Sequence, residues 1–289
     1  MFLISAARTR LYGWLSLVSQ ILIVVTGGAV RLTGSGLGCP TWPKCTDDSL
    51  VNVPAQGYHG IIEFTNRTLT GVLVIISLLT LITVWRLARE ARIGKLWPAI
   101  AILLGIFVQA VVGGITVHMK LNPWIVGLHF AISALLIISA TILLWRIYDN
   151  RHQPVPYRAF MIAPWLYALG LLTVLFGVLV TGAGPHAGDV VSARNGFDLE
   201  VIEHFHSYPA YVTLALAVIV LFLLRRAKLD NPLPQKISGY LVATLIYQAI
   251  IGVVQSRLGV PPLLVGLHVL GASLLISLLT FQWLSIRAK

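Results

Sequence analysis

Histidine is the side chain in this sequence best suited to chemistry, because neutral imidazole binds metals and titrates near neutral pH. There are eight: His59, His118, His129, His152, His186, His204, His206 and His268. All but His152 fall at or just beyond the same ends of long apolar stretches. A lone histidine there is commonly a polar tip reaching water. Two of them belong to a repeat. His129 and His268 each close a Val-Gly-Leu-His run. Each is preceded at the same distance by a Gln-Ala-x-x-Gly run, Gln109–Gly113 and Gln248–Gly252. The offset is 139 throughout, with Pro123 also matching Pro262. Chance explains this poorly, because Gln, Pro and His are uncommon in apolar sequence.

The remaining segments match more loosely. Ile62-Glu63-Phe64-Thr65-Asn66-Arg67 aligns with Ile202-Glu203-His204-Phe205-His206-Ser207. Asn66 therefore stands opposite His206. Val25–Gly28 and Thr33–Gly36 resemble the stretch around Val180–Gly184. The chain reads as two related halves, 1–150 and 151–289. An even number of helices in each makes them parallel repeats about an axis along the membrane normal.

Haem iron in a helical bundle is held by histidines from facing helices. One pair per half is the simplest arrangement. In the second half the pair is His206 and His268. In the first half one ligand is His129. Its partner is less clear, because the carboxamide of Asn66 is a poor iron ligand. His59, Glu63 and Asn66 share one helical face at i, i+4 and i+7. Two readings follow: His59 reaches the same cavity, or the first-half iron is five-coordinate with an open face. Glu63 also has two readings. It is a helix-end carboxylate solvated or paired with Arg67 at i+4, or it faces the cavity as a proton acceptor. Arg31 and Arg257, near helix ends, pair with haem propionates or lie in solvent. Gly27-Gly28, Gly34-Ser35-Gly36, Gly113-Gly114 and Gly182 follow helices rather than strands, so they are not nucleotide loops. Small residues there allow close packing or approach to a flat macrocycle.

The elements that must position these residues are apolar helices. The chain has 289 residues, 57% hydrophobic and 11% charged. A soluble domain carries roughly 25% charged residues. Spanning the hydrocarbon layer takes about 20 apolar residues per helix. Eight stretches qualify, at about 14–34, 61–85, 97–117, 125–146, 160–182, 205–224, 237–257 and 263–285. The runs are continuous rather than alternating, which excludes a transmembrane β-barrel. The expected fold is all-α and polytopic, with eight transmembrane helices in two pseudo-symmetric four-helix bundles. The net charge of +11 does not indicate nucleic acid, because its placement is lopsided. Fifteen Lys and Arg lie on one set of connections, among them Arg86, Arg89, Arg92, Arg151 and Lys289, and six on the other. The positive-inside rule puts both termini in the cytoplasm of a bacterial inner-membrane protein. The loops around 35–60 and 183–204 then lie outside. No cleavable signal is evident.

Cys39 and Cys45, the only cysteines, fall in the first outer loop, where disulfides are permitted. The five residues between them include two prolines. A structural disulfide and a redox-active pair both suit the spacing.

Taken together, the motifs resemble one family. Gly27-Gly28-Ala29-Val30-Arg31-Leu32-Thr33-Gly34-Ser35-Gly36-Leu37-Gly38-Cys39-Pro40, then Trp42-Pro43-Lys44-Cys45, is similar to the first-loop signature of haem A synthases. Ile62–Arg67 resembles their second-helix motif, and Thr181–Asp189 their third outer loop. The resemblance covers nearly the whole chain. It implies oxidation of the C8 methyl of haem O to a formyl group, giving haem A. It implies haem b on His206 and His268 in the second half, and the substrate or product haem on His129 in the first. It keeps Glu63 as the catalytic carboxylate. The family's Glu-x-x-His-Arg motif carries histidine where this chain has Asn66, which makes His59 the candidate replacement. Haem O synthase would be the donor, and quinone or another acceptor would take electrons. Membrane lipid surrounds the protein, and a homo-oligomer is allowed. A diheme b-type protein passing electrons to quinone is the alternative. A transporter ranks below both, because the helix centres are apolar apart from Gln109 and Gln248.

Overall fold

The structure, a computed structural model, describes residues 6–87, 93–148 and 154–287. Arg89, Arg92, Arg151, His152 and Lys289 lie outside these, as does the boundary drawn between residues 150 and 151. Among the described residues there are eight long helices and no strand. They are α1 (Ala6–Leu32), α2 (Gly57–Trp85), α3 (Leu96–His118) and α4 (Pro123–Ile147), then α5 (Tyr157–Ala183), α6 (Leu199–Arg226), α7 (Leu233–Arg257) and α8 (Pro262–Arg287). All are long and apolar enough to cross a membrane. The protein is a multi-pass membrane protein.

Several helices begin earlier than the apolar runs alone indicate. The α6 helix starts at Leu199, because the Asp198 side chain accepts from the Val201 amide at 2.9 Å and caps its orphan donors. His206 therefore sits two turns inside α6 rather than at its start. The α1 helix stops at Leu32 because Gly34 takes a φ of +66°. There the Ser35 amide bonds the Val30 carbonyl at 2.9 Å, closing the last turn as a Schellman motif.

The α1–α4 helices close a ring in which α1 packs on α2 and α4, and α3 packs on both of its neighbours in sequence. The α5–α8 helices close an equivalent ring. The rings meet through α1 with α8, α4 with α5, and α4 with α8. Exchanging the halves swaps the first two contacts and returns the third to itself, as a pseudo-twofold axis requires. The short turns repeat as well. Lys120 and Leu121 have φ of 49° and 58°, and Gly259 and Val260, at the same offset of 139, have 72° and 61°.

Each ring is sealed at one end and structured differently at the other. Buried aliphatics such as Ile102, Ile106, Leu136 and Leu143 fill the first ring toward the termini. Leu166, Val220, Leu241 and Leu279 do so in the second. In lipid these helices gain little from apolar burial itself and depend on close packing. A Cβ on Gly105 would come within 2.4 Å of Leu136, and one on Gly170 within 2.5 Å of Leu279. Residues 33–56 and 184–198 cover the opposite end. The Gly36 amide bonds the Gly188 carbonyl at 2.9 Å. Leu121, 8% exposed, lies against both glycines. The two loops thus form one lid across both rings, and His129, His206 and His268 lie between lid and apolar floor.

Candidate functional site

In the second ring, α6 and α8 present His206 and His268 to each other. Their ring centres are 6.2 Å apart, with planes inclined at 72°. His206 Nδ1 donates to the Thr173 carbonyl of α5 at 2.9 Å, which leaves Nε2 as the bare nitrogen and fixes the ring. Glycines make room for both rings. A Cβ on Gly177 would lie 3.0 Å from His206 Cε1, and one on Gly252 3.4 Å from His268 Cε1. Gln248 donates to the His268 carbonyl at 3.1 Å.

This arrangement fits an iron carried by a macrocycle. With metal–nitrogen bonds of about 2 Å and roughly 1.1 Å from nitrogen to ring centre, two axial imidazoles need centres about 6.2 Å apart. Two ligands alone do not complete a protein metal site. Among the described residues no group of three or more His, Cys, Asp or Glu side chains is placed to hold an ion. The Nδ1 of His268 and of His129 is buried with no hydrogen-bond partner among the described residues, unlike that of His206.

The first ring repeats the cradle. A Cβ on Gly113 would lie 3.3 Å from His129 Cε1, and Gln109 donates to the His129 carbonyl at 3.0 Å. Gln109 also donates to Ser133, where the second half has Ala272. Asn66 takes the place of His206, facing α1 at Gly27, where a Cβ would lie 4.0 Å from Asn66 Nδ2. Gly27 is therefore the counterpart of Gly177. This corrects the looser sequence alignment, which set Thr26-Gly27 against Thr181-Gly182. Gly182 instead lies against Asn195 and Pro123, because α5 runs one turn past the cavity before ending.

Glu63 is 5% exposed, and both its oxygens are engaged. Oε2 accepts from the Cys39 amide at 2.6 Å. Oε1 accepts from Arg67 Nε at 3.1 Å and from Arg67 Nη2. The same guanidinium donates to the carbonyls of Cys39 at 2.8 Å, Thr41 at 2.9 Å and Lys44 at 3.2 Å. The i,i+4 pair thus clamps the whole Cys39–Cys45 segment onto α2. The two cysteines are fully buried, with their sulfurs at disulfide distance. Gln56 helps from below, donating to the Gly38 carbonyl at 2.7 Å. The α2 helix begins early, at Gly57, so His59 is helical. Its Nδ1 bonds Ser35 Oγ at 2.9 Å, which directs the ring into the lid.

The other singled-out residues separate. Arg31 is half-buried and donates to the Thr181 carbonyl of α5, tying the halves together. Arg257 is exposed at the end of α7. Glu203, the counterpart of Glu63, lines a shallow groove of about 580 Å³ with Arg194 and Glu200, and accepts from Ser256 Oγ at 3.2 Å. His118 and His186 bond lid or turn carbonyls, of Trp42 at 3.2 Å and of Val260 at 2.8 Å. Sequence reasoning missed Arg67 as the centre of the lid, Thr173 as the His206 anchor, and Gly177. It also missed the buried Ser238–Gln282 pair, bonded at 2.8 Å, near the start of α7 and the end of α8. The i,i+4 spacing of Glu63 and Arg67 was the one available signal.

Comparison with known proteins follows the same outline. A family model described as "Cytochrome oxidase assembly protein" (COX15-CtaA) matches residues 10–280. A heme A synthase of Staphylococcus epidermidis is 30% identical over 71% of this chain and 72% of its own length. One from Listeria monocytogenes is 26% identical over 94% and 93%. Those of Alkalihalophilus pseudofirmus and Halalkalibacterium halodurans, at 26% and 27% identity, are matched over 64% and 58% of their own lengths. The chain belongs to the COX15-CtaA family of cytochrome oxidase assembly proteins.

Proposed function

We propose that this chain is a haem A synthase, an oxidoreductase that converts the C8 methyl of haem O to a formyl group. The observation that carries the reading is the duplicated cradle. His206 and His268 face each other at the separation a haem iron needs, and the Gly–His–Gln contacts of His268 recur at His129. His206 and His268 would hold haem b, and His129 the substrate or product haem. Haem supplies the redox chemistry that no amino-acid side chain offers an unactivated methyl. The protein's own contribution is position. The glycines admit the rings, and Thr173 fixes the His206 tautomer. The lid excludes water. Glu63, on the face of α2 that carries Asn66, is the proposed proton acceptor, with Arg67 holding its charge. Arg31, on the lid side, is proposed for a haem carboxylate, and Arg257 for the second site from its helix end.

In this reading the lid end faces outward and both termini lie in the cytoplasm of a bacterial inner membrane. The charge asymmetry supports that orientation. The cysteine pair is a structural disulfide in the lid, a role its complete burial favours over redox turnover. Haem O arrives from haem O synthase, and a quinone or another acceptor takes the electrons. The test is co-expression with haem O synthase, followed by chromatography of extracted haems. Haem A or its hydroxymethyl precursor beside haem b is expected. Haem b alone would overturn the synthase and favour a diheme electron carrier.

A further inference from the structure

We infer that the first ring holds its haem iron from the His129 side only, and that Asn66 lines a binding site for a small diatomic or water-sized ligand on the open side. This rests on the haem reading above. The two cradles match at the glycine and glutamine that meet His129 and His268. Gly113 and Gly252 approach His129 and His268 to within 0.1 Å of each other's distance (3.3 and 3.4 Å). Gln109 and Gln248 bond the histidine carbonyls at 3.0 and 3.1 Å. Gly27 and Gly177 back residues 66 and 206 from the neighbouring helix. What differs is the side chain at the equivalent positions 66 and 206, and imidazole is a good iron ligand where a neutral carboxamide is not.

No neighbouring group fills the position. His59 lies seven residues before Asn66, about 10.5 Å along the helix, farther than an imidazole extends from its own Cα. Its Nδ1 is taken by Ser35. Its backbone is pinned, because a Cβ on Gly38 would sit 2.2 Å from the His59 carbonyl oxygen. The Glu63 carboxylate is held by Arg67 and the Cys39 amide. His118 bonds the Trp42 carbonyl beyond the end of α3. Asn66 is different: its Oδ1 is buried and has no hydrogen-bond partner among the described residues. A carboxamide carries two N–H donors and a carbonyl acceptor. Facing the open side of an iron, its unpartnered oxygen would accept from a protonated ligand such as water, and its N–H donors would favour a ligand that gains negative charge, such as dioxygen, over carbon monoxide.

The experiment uses the full chain, purified with two haems bound and reduced with dithionite. Carbon monoxide is the probe. One carbon monoxide per two haems is expected, with a high-spin ferric signal from half the haem. Asn66→His should abolish carbon monoxide binding and convert that signal to low-spin. Asn66→Leu should keep carbon monoxide but release bound cyanide or dioxygen about tenfold faster, the equivalent of one hydrogen bond at ~1.4 kcal/mol. A wild-type chain whose two haems are both low-spin and inert to carbon monoxide overturns the inference. So does carbon monoxide binding that appears only in His59→Ala, which would make His59 the sixth ligand. Haem extraction on the same sample reports separately on the synthase reading. A chain that never takes up a second haem overturns both.

Discussion

Replacing Arg67 by leucine should open the lid without disturbing the helices beneath it. Arg67 makes five hydrogen bonds, two to Glu63 Oε1 and three to carbonyls of the Cys39–Cys45 segment. The pair is mostly shielded, with side-chain exposures of 21% and 7%. Deleting one member of a buried ion pair costs about 3–5 kcal/mol, chiefly by stranding the other charge. The partial exposure of Arg67 puts the expectation at the lower end, about 3 kcal/mol, a factor of ~10² in the opening equilibrium. Both cysteines are fully buried, so a reductant reaches the disulfide proposed between them only through the opened lid. The assay is the rate at which a membrane-impermeant phosphine exposes thiols for alkylation, followed by intact mass. Arg67→Leu should raise that rate about 10²-fold, following the population of the open form. Glu63→Gln keeps the shape but turns one accepting oxygen into an NH2 donor that meets the Cys39 amide or Arg67, and should raise it about tenfold. The double variant should fall well short of the product of the two, because removing Glu63 removes the stranded charge. His118→Ala deletes one exposed 3.2 Å bond to the same segment and should change the rate less than about fivefold. An Arg67→Leu rate within threefold of wild type, or fully multiplicative effects, refutes the clamp.

Gly113→Val and Gly252→Val test the cradles in parallel. The new Cβ alone would sit 3.3 and 3.4 Å from the histidine rings, and the added methyls would push them aside. Each variant should lose most of the haem of its own ring, approaching half of the haem per chain, as read by extracted haem stoichiometry; unchanged stoichiometry in both rejects the cradle. Lys120→Gly should stabilise the protein. Lys120 holds a φ of 49° where its counterpart Gly259 holds 72°, and relieving a left-handed non-glycine residue is worth about 1 kcal/mol. The expected rise in Tm is about 2 °C, and a fall would mean the lysine side chain does something the turn geometry does not reveal.

Much of this was legible before any fold was known. Eight apolar runs dictate eight spanning helices, because a backbone in hydrocarbon must satisfy its own hydrogen bonds. The 139-residue offset between Gln109-to-His129 and Gln248-to-His268 announces two equivalent cradles, since a shared spacing on equal helices places side chains at equal depth. Hydropathy missed the polar first turns of α2 and α6, because it registers transfer energy and not the cap at Asp198. Motif resemblance misaligned the glycines of α1 and α5, where only the packing partners of Gly27 and Gly177 identify the equivalent positions. The roles of Glu63 and His59 were open for a different reason. Both lie on one face of α2, and sequence spacing says which residues share a face but not what crosses from elsewhere to meet them. The first loop folds back so that Cys39 and Ser35 reach those side chains. That decision belongs to contacts between segments more than twenty residues apart, which no local pattern encodes.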